Sequence, residues 1–200
     1  MTLPDHPQEP VSPETGQAAP EPRAARRRSR LREPAIFLSV VAFAAILRLF
    51  VYESDVVEGS SMRPGLRSGD YLLICKLTYH FREPRRFDVV TFPSPTGSKE
   101  VLVKRIIGLP NEFVFYGAGA VLVNGRKLDE PYVLGGEPTF GIPVWVPPGY
   151  VFVLGDNRGN SEDSRAWGPV PIKTVRGKAL ATYYPFSQAH WLGKHGSDAQ

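Results

Sequence analysis

The stretch "EGSSMRPGLRSGDYLLI", from Glu58 to Ile74, joins a serine-containing loop directly to an apolar run. Glycine and proline interrupt its first half, whereas its end has the aromatic and aliphatic composition of a buried strand. Two adjacent serines, Ser60 and Ser61, lie in the loop, where a serine can form a turn, cap a helix or act as a nucleophile. No histidine stands near them in the sequence, so a nucleophile here needs another base.

Similar strand-like runs continue through the rest of the chain, from about residue 54 onward. The dipeptide Asn124–Gly125 favours a two-residue hairpin turn, and no amphipathic helix pattern appears. The sequence therefore predicts a mainly β domain of antiparallel coiled sheets over residues 54–187, followed by a flexible tail over 188–200. The predicted strands lie in "DYLLICKL", "FDVVTF", "VLVKRIIGL", "FVFY", "AVLVNG", "YVFVLG" and "GKALATYYPF".

The segment "AIFLSVVAFAAILRLFVY", Ala35 to Tyr52, precedes this domain and contains only Ser39 and Arg48 as polar residues. A helix of this length spans ~27 Å at ~1.5 Å per residue, which is close to the ~30 Å hydrocarbon core of a bilayer. Its apolar residues cover all faces, which argues against a buried core helix. No small-residue cleavage site follows, which argues against a cleaved signal. We therefore predict a transmembrane anchor helix over residues 34–53.

The charges around the apolar segment are distributed asymmetrically. Six arginines fall between Arg23 and Arg32, whereas Glu53, Asp55 and Glu58 follow the segment. Residues 1–33 contain few aliphatic side chains, so we expect a disordered basic tail. The positive-inside rule places this tail in the cytoplasm and the β domain on the outer face of the cell membrane. Its position beside the apolar segment favours this topology over a nucleic-acid-binding role.

The base that a nucleophilic serine needs is sought among the remaining ionisable residues. None of the four histidines lies in a segment that resembles a site, and there is a single cysteine, so neither a Ser-His-Asp triad nor a metal or cofactor site is indicated. A lysine can accept the proton if burial lowers its pKa. Lys104, inside the apolar run "VLVKRIIGLP", is the candidate. The alternative is a lysine on the solvated face of a strand, with Arg105 on the opposite face.

A third segment, "GDNRGNSEDSRAWGPV", is a dense run of polar residues from Gly155 to Val170. Such a run forms either a solvated surface loop or a loop whose side chains bond to one another. Trp167 suggests that it is held against the core. Within it, Asp163 and Arg165 are suited to an ion pair, and Ser161 to holding a neighbouring amine.

Together these segments resemble the bacterial type I signal peptidases, membrane-bound serine proteases that remove signal peptides. The resemblance covers about residues 36–186, and four motifs occur in the family's order behind an apolar segment. They are "SMRPGLRSGD" at 61–70, "RFDVV" at 86–90, "KRIIGLP" at 104–110 and "GDNRGNSEDSRAWG" at 155–168.

The resemblance implies roles that the residues alone leave open. The family nucleophile directly precedes Met-x-Pro, which implies Ser61 rather than Ser60. The lysine of the Lys-Arg motif is the general base, which implies Lys104. The oxyanion is held by the backbone N–H of the nucleophile and by a second donor near Gly59. Because glycine has no side-chain donor, that second donor is expected to be a backbone amide or to be missing.

The polar loop also matches family positions around the lysine. Ser161 matches the serine that hydrogen-bonds the lysine, and Asp163 and Arg165 match a pair that braces the site. The chain departs from the family pattern in three places outside the dyad, where we expect local loop changes. These are Gly159 for a frequent Asp, Phe87 for a frequent Gly, and Asn111–Glu112 for a frequent Gly-Asp.

The implied function is cleavage of exported preproteins after small residues at −3 and −1, as in Ala-x-Ala sites, beside the lipid bilayer and without a cofactor or nucleic acid. One alternative is a self-cleaving Ser/Lys protease of the repressor type, which needs a DNA-binding helical module that the N-terminal segment does not resemble. The other is a membrane-anchored, non-catalytic module that binds peptides. The presence of Ser61, Lys104 and Ser161 together argues against it.

Overall fold

The computed structural model describes residues 23–135 and 141–192, with side chains described from residue 33 onward. The chain divides into two compact units, residues 1–43 and 44–200, and each is described by itself.

The N-terminal helix α1 runs from Arg23 to Ile46 and is followed by a π-helical turn, Leu47–Val51. Its stretch Glu33–Val51 has a mean hydropathy of 2.3 with no residue buried, and within the described residues only this helix is long and apolar enough to cross a membrane. The helix begins earlier than the sequence predicts and includes residues 23–33, where we expect a disordered tail. Alanine and arginine are strong helix formers, which explains this extension. The rest of the predicted tail, residues 1–22, lies outside the described residues.

A large antiparallel sheet forms most of the second unit. Its strand order is β1-β2-β11-β3-β4-β9-β10, and β12 also pairs with β11. This confirms the predicted mainly β fold. The strands are β1 (Tyr52–Val56), β2 (Tyr71–Cys75), β3 (Val89–Pro93), β4 (Val101–Gly108), β9 (Tyr150–Leu154), β10 (Val170–Pro171), β11 (Gly177–Tyr184) and β12 (His190–Trp191).

A smaller sheet has the order β7-β6-β5-β8. It contains β5 (Phe113–Gly117), β6 (Ala120–Val123), β7 (Arg126–Lys127) and β8 (Val144–Trp145). The predicted hairpin at Asn124–Gly125 joins β6 to β7, and both of its turn residues have positive φ angles, 50° and 81°. Two positive φ angles in succession are the signature of the two-residue turn that matches strand twist.

Three buried clusters form the core of the described residues. One lies beneath the serine loop, residues 57–70 between β1 and β2, and joins Val57, Met62 and Leu66 to β2. A second joins the small sheet to β9, and a third packs β3, β4 and β9 against Val170 with Trp167 at its edge. Two one-turn helices, α2 (Thr78–Phe81) and α3 (Ser164–Trp167), flank the sheets.

The C-terminal segment is ordered further than predicted. Residues 188–192, assigned to a flexible tail, include β12, and Leu192 is buried in the cluster beneath the serine loop. Its backbone N–H donates to the Leu180 carbonyl at 2.8 Å. Burial of an aliphatic side chain offsets the entropy of ordering these residues. Residues 193–200 of the predicted tail lie outside the described part.

The family departures at Phe87 and Asn111 leave the backbone conformation in the region that glycine favours. Their φ angles are 70° and 67°. Phe87 packs edge-on against Tyr132 with ring centroids 5.9 Å apart, so its side chain gains contacts that glycine lacks. At these two positions the backbone therefore adopts a conformation that a glycine would also adopt.

Candidate active site

The serine loop connects β1 to β2 and is tied at both ends. Val57 donates to the Asp70 carbonyl at 2.8 Å, and Gly69 donates back to the Val57 carbonyl at 2.9 Å. Met62 and Leu66 anchor its centre, with exposed fractions of 2% and 1%. Ser61, directly before this anchored turn, is only half-buried. The loop is thus a fixed support that presents Ser61 at the surface of the core.

Lys104 lies in the middle of β4, opposite Val90 of β3, and its exposed fraction is only 3%. Arg105 is also buried, at 4%. Strand alternation places the two side chains on opposite faces, and both faces of this central strand are covered. The alternative of a lysine on a solvated face is therefore wrong for this chain.

Burial lowers the pKa of Lys104 from 10.5 to about 8. The Asp163 carboxylate acts against this shift and raises the pKa, whereas the Arg165 guanidinium lowers it. The Lys104 amine forms no salt bridge with any residue in the described part of the chain. At pH 7 about one tenth of such amines are neutral, compared with fewer than about one in a thousand for a free lysine.

The polar loop after β9 folds back on itself through Asp163, which is fully buried. The Asp163 carboxylate accepts hydrogen bonds from the Gly155 N–H at 3.0 Å and from Arg165 Nε at 2.8 Å. Arg165 in turn donates to the carbonyls of Arg158 and Ser161. The ion pair that the sequence suggested is present, and the loop is a cross-linked element rather than a solvated one.

The serine loop and Ser161 meet over Gly155. A Cβ placed on Gly155 would lie 2.2 Å from Ser161 Oγ and 2.5 Å from the Ser61 carbonyl oxygen. The Asn157 N–H donates to that same Ser61 carbonyl at 2.9 Å. Ser161 Oγ is buried and has no hydrogen-bond partner among the described residues. Lys104 lies close enough to Asp163 for the carboxylate to raise its pKa, and the serine loop accepts a hydrogen bond from Asn157. Lys104 and Ser61 therefore both lie near the polar loop that follows β9.

Gly59 lies two residues before Ser61 and has a φ of 85°. A Cβ at this position would have no neighbour within 4 Å, so the space beside it is open. The structure therefore offers only backbone groups at this position.

A family model described as "Signal peptidase, peptidase S26" matches residues 31–184. This chain belongs to the S26 signal peptidase family. It is 44% identical over 162 residues to signal peptidase I of Bacillus caldolyticus, covering 74% of this chain and 88% of that protein. It is 38% identical over 191 residues to signal peptidase I of Leptolyngbya laminosa, covering 91% and 94% respectively. A crystal structure of a signal peptidase I from Enterococcus faecalis V583 has 37% identity and a TM-score of 0.44, covering 50% of this chain and 98% of that one.

Two buried ion pairs in this S26 peptidase were not identified from the sequence. Arg105 binds Asp156 through two hydrogen bonds, of 2.8 and 2.6 Å, and its guanidinium lies over the Tyr132 ring at 4.0 Å. Arg158 likewise pairs with Glu130. An arginine inside an apolar strand was the available signal, because a buried guanidinium requires a carboxylate partner. These pairs fasten the polar loop to β4 and to the segment before residue 135.

Two asparagines of the same loop were also missed. Asn157 Nδ2 donates to the Ser60 carbonyl at 3.1 Å, and Asn160 Nδ2 donates to Ser60 Oγ at 2.7 Å. Nothing in the local sequence distinguishes these amides from ordinary turn residues.

Proposed function

We propose that this S26 family member is a membrane-anchored serine endopeptidase that removes signal peptides from exported preproteins. Its relatives named signal peptidase I align over 88% and 94% of their own lengths, which supports this activity. The observation that carries the proposed chemistry is Lys104, a buried lysine with a lowered pKa beside the loop that binds Ser61. Neither alternative, the repressor-type protease or the non-catalytic module, is favoured by these relatives.

In the proposed acylation step, neutral Lys104 accepts the Ser61 hydroxyl proton as Ser61 Oγ bonds to the scissile carbonyl carbon. The carbonyl π electrons move to oxygen and give a tetrahedral oxyanion. When this collapses, the C–N bond breaks and the leaving amine takes the proton from Lys104. The products are the free N-terminus of the mature protein and an ester between Ser61 and the signal peptide.

Deacylation repeats the sequence with water as the nucleophile. Lys104 accepts a proton from the water as its oxygen attacks the ester carbonyl. Collapse of the second oxyanion breaks the bond to Ser61 Oγ, which recovers its proton from Lys104. The Ser61 backbone N–H is the proposed oxyanion donor in both steps, with a second backbone donor near Gly59. Ser161 Oγ, which has no partner in the described residues, is suited to bonding the Lys104 amine during these transfers.

We further propose cleavage after small residues at −3 and −1. The serine loop and β2, where we expect the walls of the substrate pockets, rest on a close-packed core that includes Val57, Met62 and Leu72, which are 4%, 2% and 0% exposed. Close packing beneath these walls leaves room only for shallow pockets, which favour small side chains over large ones. A preprotein with an Ala-x-Ala site is therefore the test substrate.

The proposed location is the cell membrane, with a cytoplasmic N-terminus and an outer catalytic domain. The apolar stretch Glu33–Val51 and the arginines before it support this orientation. Protease added to intact spheroplasts should digest the β domain and spare an epitope placed before residue 23. A protected β domain would reverse the orientation, and a mature N-terminus near residue 54 would identify a cleaved signal instead.

The activity is tested with purified full-length chain in detergent and the Ala-x-Ala preprotein. Ser61→Ala should abolish processing, while Ser60→Ala should retain much of it, because only Ser61 is the proposed nucleophile. Lys104→Arg should fold and be inactive, because a guanidinium keeps the positive charge but does not deprotonate. Equal losses in both serine variants, or near wild-type rates for Lys104→Arg, would contradict the assignments.

A further inference from the structure

The peptide unit between Ser60 and Ser61 is held from its carbonyl side. The Ser60 carbonyl oxygen accepts hydrogen bonds from Asn157 Nδ2 at 3.1 Å and from the Arg63 N–H at 3.2 Å. This peptide bond is trans. In a planar trans peptide the C=O and the following N–H point in opposite directions.

Fixing the Ser60 carbonyl therefore also fixes the direction of the Ser61 N–H. Since Asn157 holds the carbonyl towards the polar loop, the Ser61 N–H points away from that loop. It donates no hydrogen bond to any residue in the described part of the chain. A backbone donor that is fixed in direction and unused is what stabilisation of an oxyanion requires.

Two further bonds connect the same residues. The Asn157 N–H donates to the Ser61 carbonyl at 2.9 Å, so the asparagine binds the peptide groups on both sides of the Ser61 Cα. Asn160 Nδ2 donates to Ser60 Oγ at 2.7 Å, and the Asn160 N–H donates to the Asn157 carbonyl at 3.1 Å. The Ser60 side chain therefore adds Asn160 to the contacts by which Asn157 holds the serine loop.

We propose that Asn157 is a positioning residue that aims the Ser61 N–H at the oxyanion, and that the Ser60–Asn160 contact supports this alignment. The inference rests on the proposed function of Ser61. With no side chain at Gly59 to donate, the oxyanion depends on backbone groups, so their orientation determines the rate. Asn157 touches no reacting atom and acts only through the peptide that it holds.

The expected effect is a loss of kcat rather than of substrate binding. Removing an oxyanion donor outright lowers kcat by about 10²–10³-fold, so loss of its alignment should cost roughly 10–100-fold. The Asn160 contact is solvent-exposed and supports the contacts of Asn157 indirectly, so its loss should cost about 2–4-fold.

The test measures kcat and KM of full-length variants on a peptide with an Ala-x-Ala site, together with inhibition by the matching peptide aldehyde. Ser61 Oγ adds to the aldehyde carbon as its proton passes to Lys104, and the tetrahedral adduct carries an oxyanion that uses the same donor. Asn157→Ala and the isosteric Asn157→Asp, whose carboxylate does not donate, should lower kcat roughly 10–100-fold with KM within about 3-fold. Aldehyde affinity should fall in parallel, and Gly159→Ala, in open space on the same loop, should change neither.

The Ser60–Asn160 contact provides a second measurement that does not depend on the stability of Asn157 variants. Ser60→Ala and Asn160→Ala should each lower kcat about 2–4-fold, and the double variant should be no worse than either single one. Additive losses, or no loss, would contradict the supporting contact. Asn157 variants that keep kcat, or that lose it through KM with aldehyde affinity unchanged, would overturn the positioning role.

Failure of this inference is distinguishable from failure of the proposed function. If Ser61→Ala still cleaves the peptide, the proposed nucleophile is wrong. If Ser61→Ala is inactive while both Asn157 variants match wild type, only the positioning role is wrong.

Discussion

Gly155→Ala adds one methyl group at the point where the serine loop and Ser161 meet. The backbone of Gly155 does not have the positive φ that disfavours alanine, so the substitution tests space rather than backbone strain. The new Cβ would lie 2.2 Å from Ser161 Oγ and 2.5 Å from the Ser61 carbonyl oxygen. Real Cβ contacts essentially never fall below 3.0 Å, so both neighbours must move.

The size of the effect follows from these distances. Bringing the Ser161 contact from 2.2 to 3.0 Å requires a shift of about 0.8 Å, and the Ser61 contact needs about 0.5 Å. A misplacement of about 1 Å at a reacting group can cost ~10²-fold in rate, whereas overpacking costs ~1–3 kcal/mol of stability. We therefore expect kcat to fall by about 100-fold while the protein remains folded.

The assay compares steady-state cleavage of an Ala-x-Ala peptide with thermal unfolding of the same preparation. Gly159→Ala is the matched control, because it adds the same methyl group to the same loop with no neighbour within 4 Å. It should keep near wild-type activity. A Gly155→Ala variant with wild-type kcat would refute the reasoning that Ser61 and Ser161 are both held against this glycine.

Substitutions at three other positions test the electrostatics and the backbone. Lys104→Met should abolish activity yet stabilise the protein at pH 7 by about 3 kcal/mol, because protonated Lys104 is buried with a pKa of about 8 instead of 10.5. For the same reason Lys104 binds more protons in the unfolded state than in the folded state between about pH 8 and 10.5, so the thermal midpoint of the wild type should approach that of Lys104→Met as the pH rises through that window. Activity should instead fall as the pH drops below about 8 and Lys104 becomes protonated. Asp163→Asn removes a carboxylate that raises the Lys104 pKa, so the acid limb of the pH–rate profile should move to lower pH; a limb that stays in place would contradict this coupling. Asn111→Val should lower the free energy of unfolding by about 1–2 kcal/mol, because a β-branched residue tolerates a φ of 67° poorly, while Asn111→Gly should not, as denaturant titration would show.

The strands and the hairpin were predictable because their signals are local. Runs of β-branched and aromatic residues and the Asn124–Gly125 turn specify structure within a few residues of themselves. The site was harder to predict, because strand alternation alone favoured a solvated Lys104. Only the order of the four motifs pointed to Ser61 and Lys104 together.

The contacts that organise the site could not be predicted from the sequence for a different reason. Arg105 and Asp156 are 51 positions apart, and Asn160 and Ser60 are 100 apart, so no local pattern links them. The helix start at Arg23 was missed for the opposite reason. Its lack of aliphatic residues predicts disorder, whereas the helix propensity of its alanines and arginines favours a helix.

Lys104 and Arg105 are neighbours on a central strand, so their side chains point to opposite faces of the sheet. The chemistry therefore depends on which of the two residues faces the serine loop. A displacement of β4 by one residue would exchange the lysine for a guanidinium that does not release its proton, while leaving the composition of the chain unchanged. We expect the connection at 94–100, between β3 and β4, to accept insertions of any length, because they leave the pairing of Val90 with Lys104 intact. A single residue inserted between 101 and 104 would change the odd separation of these two positions into an even one and turn the lysine side chain to the other face of the sheet. Length variation among active relatives should therefore accumulate outside β4, and odd insertions within it should mark proteins that have lost the reaction.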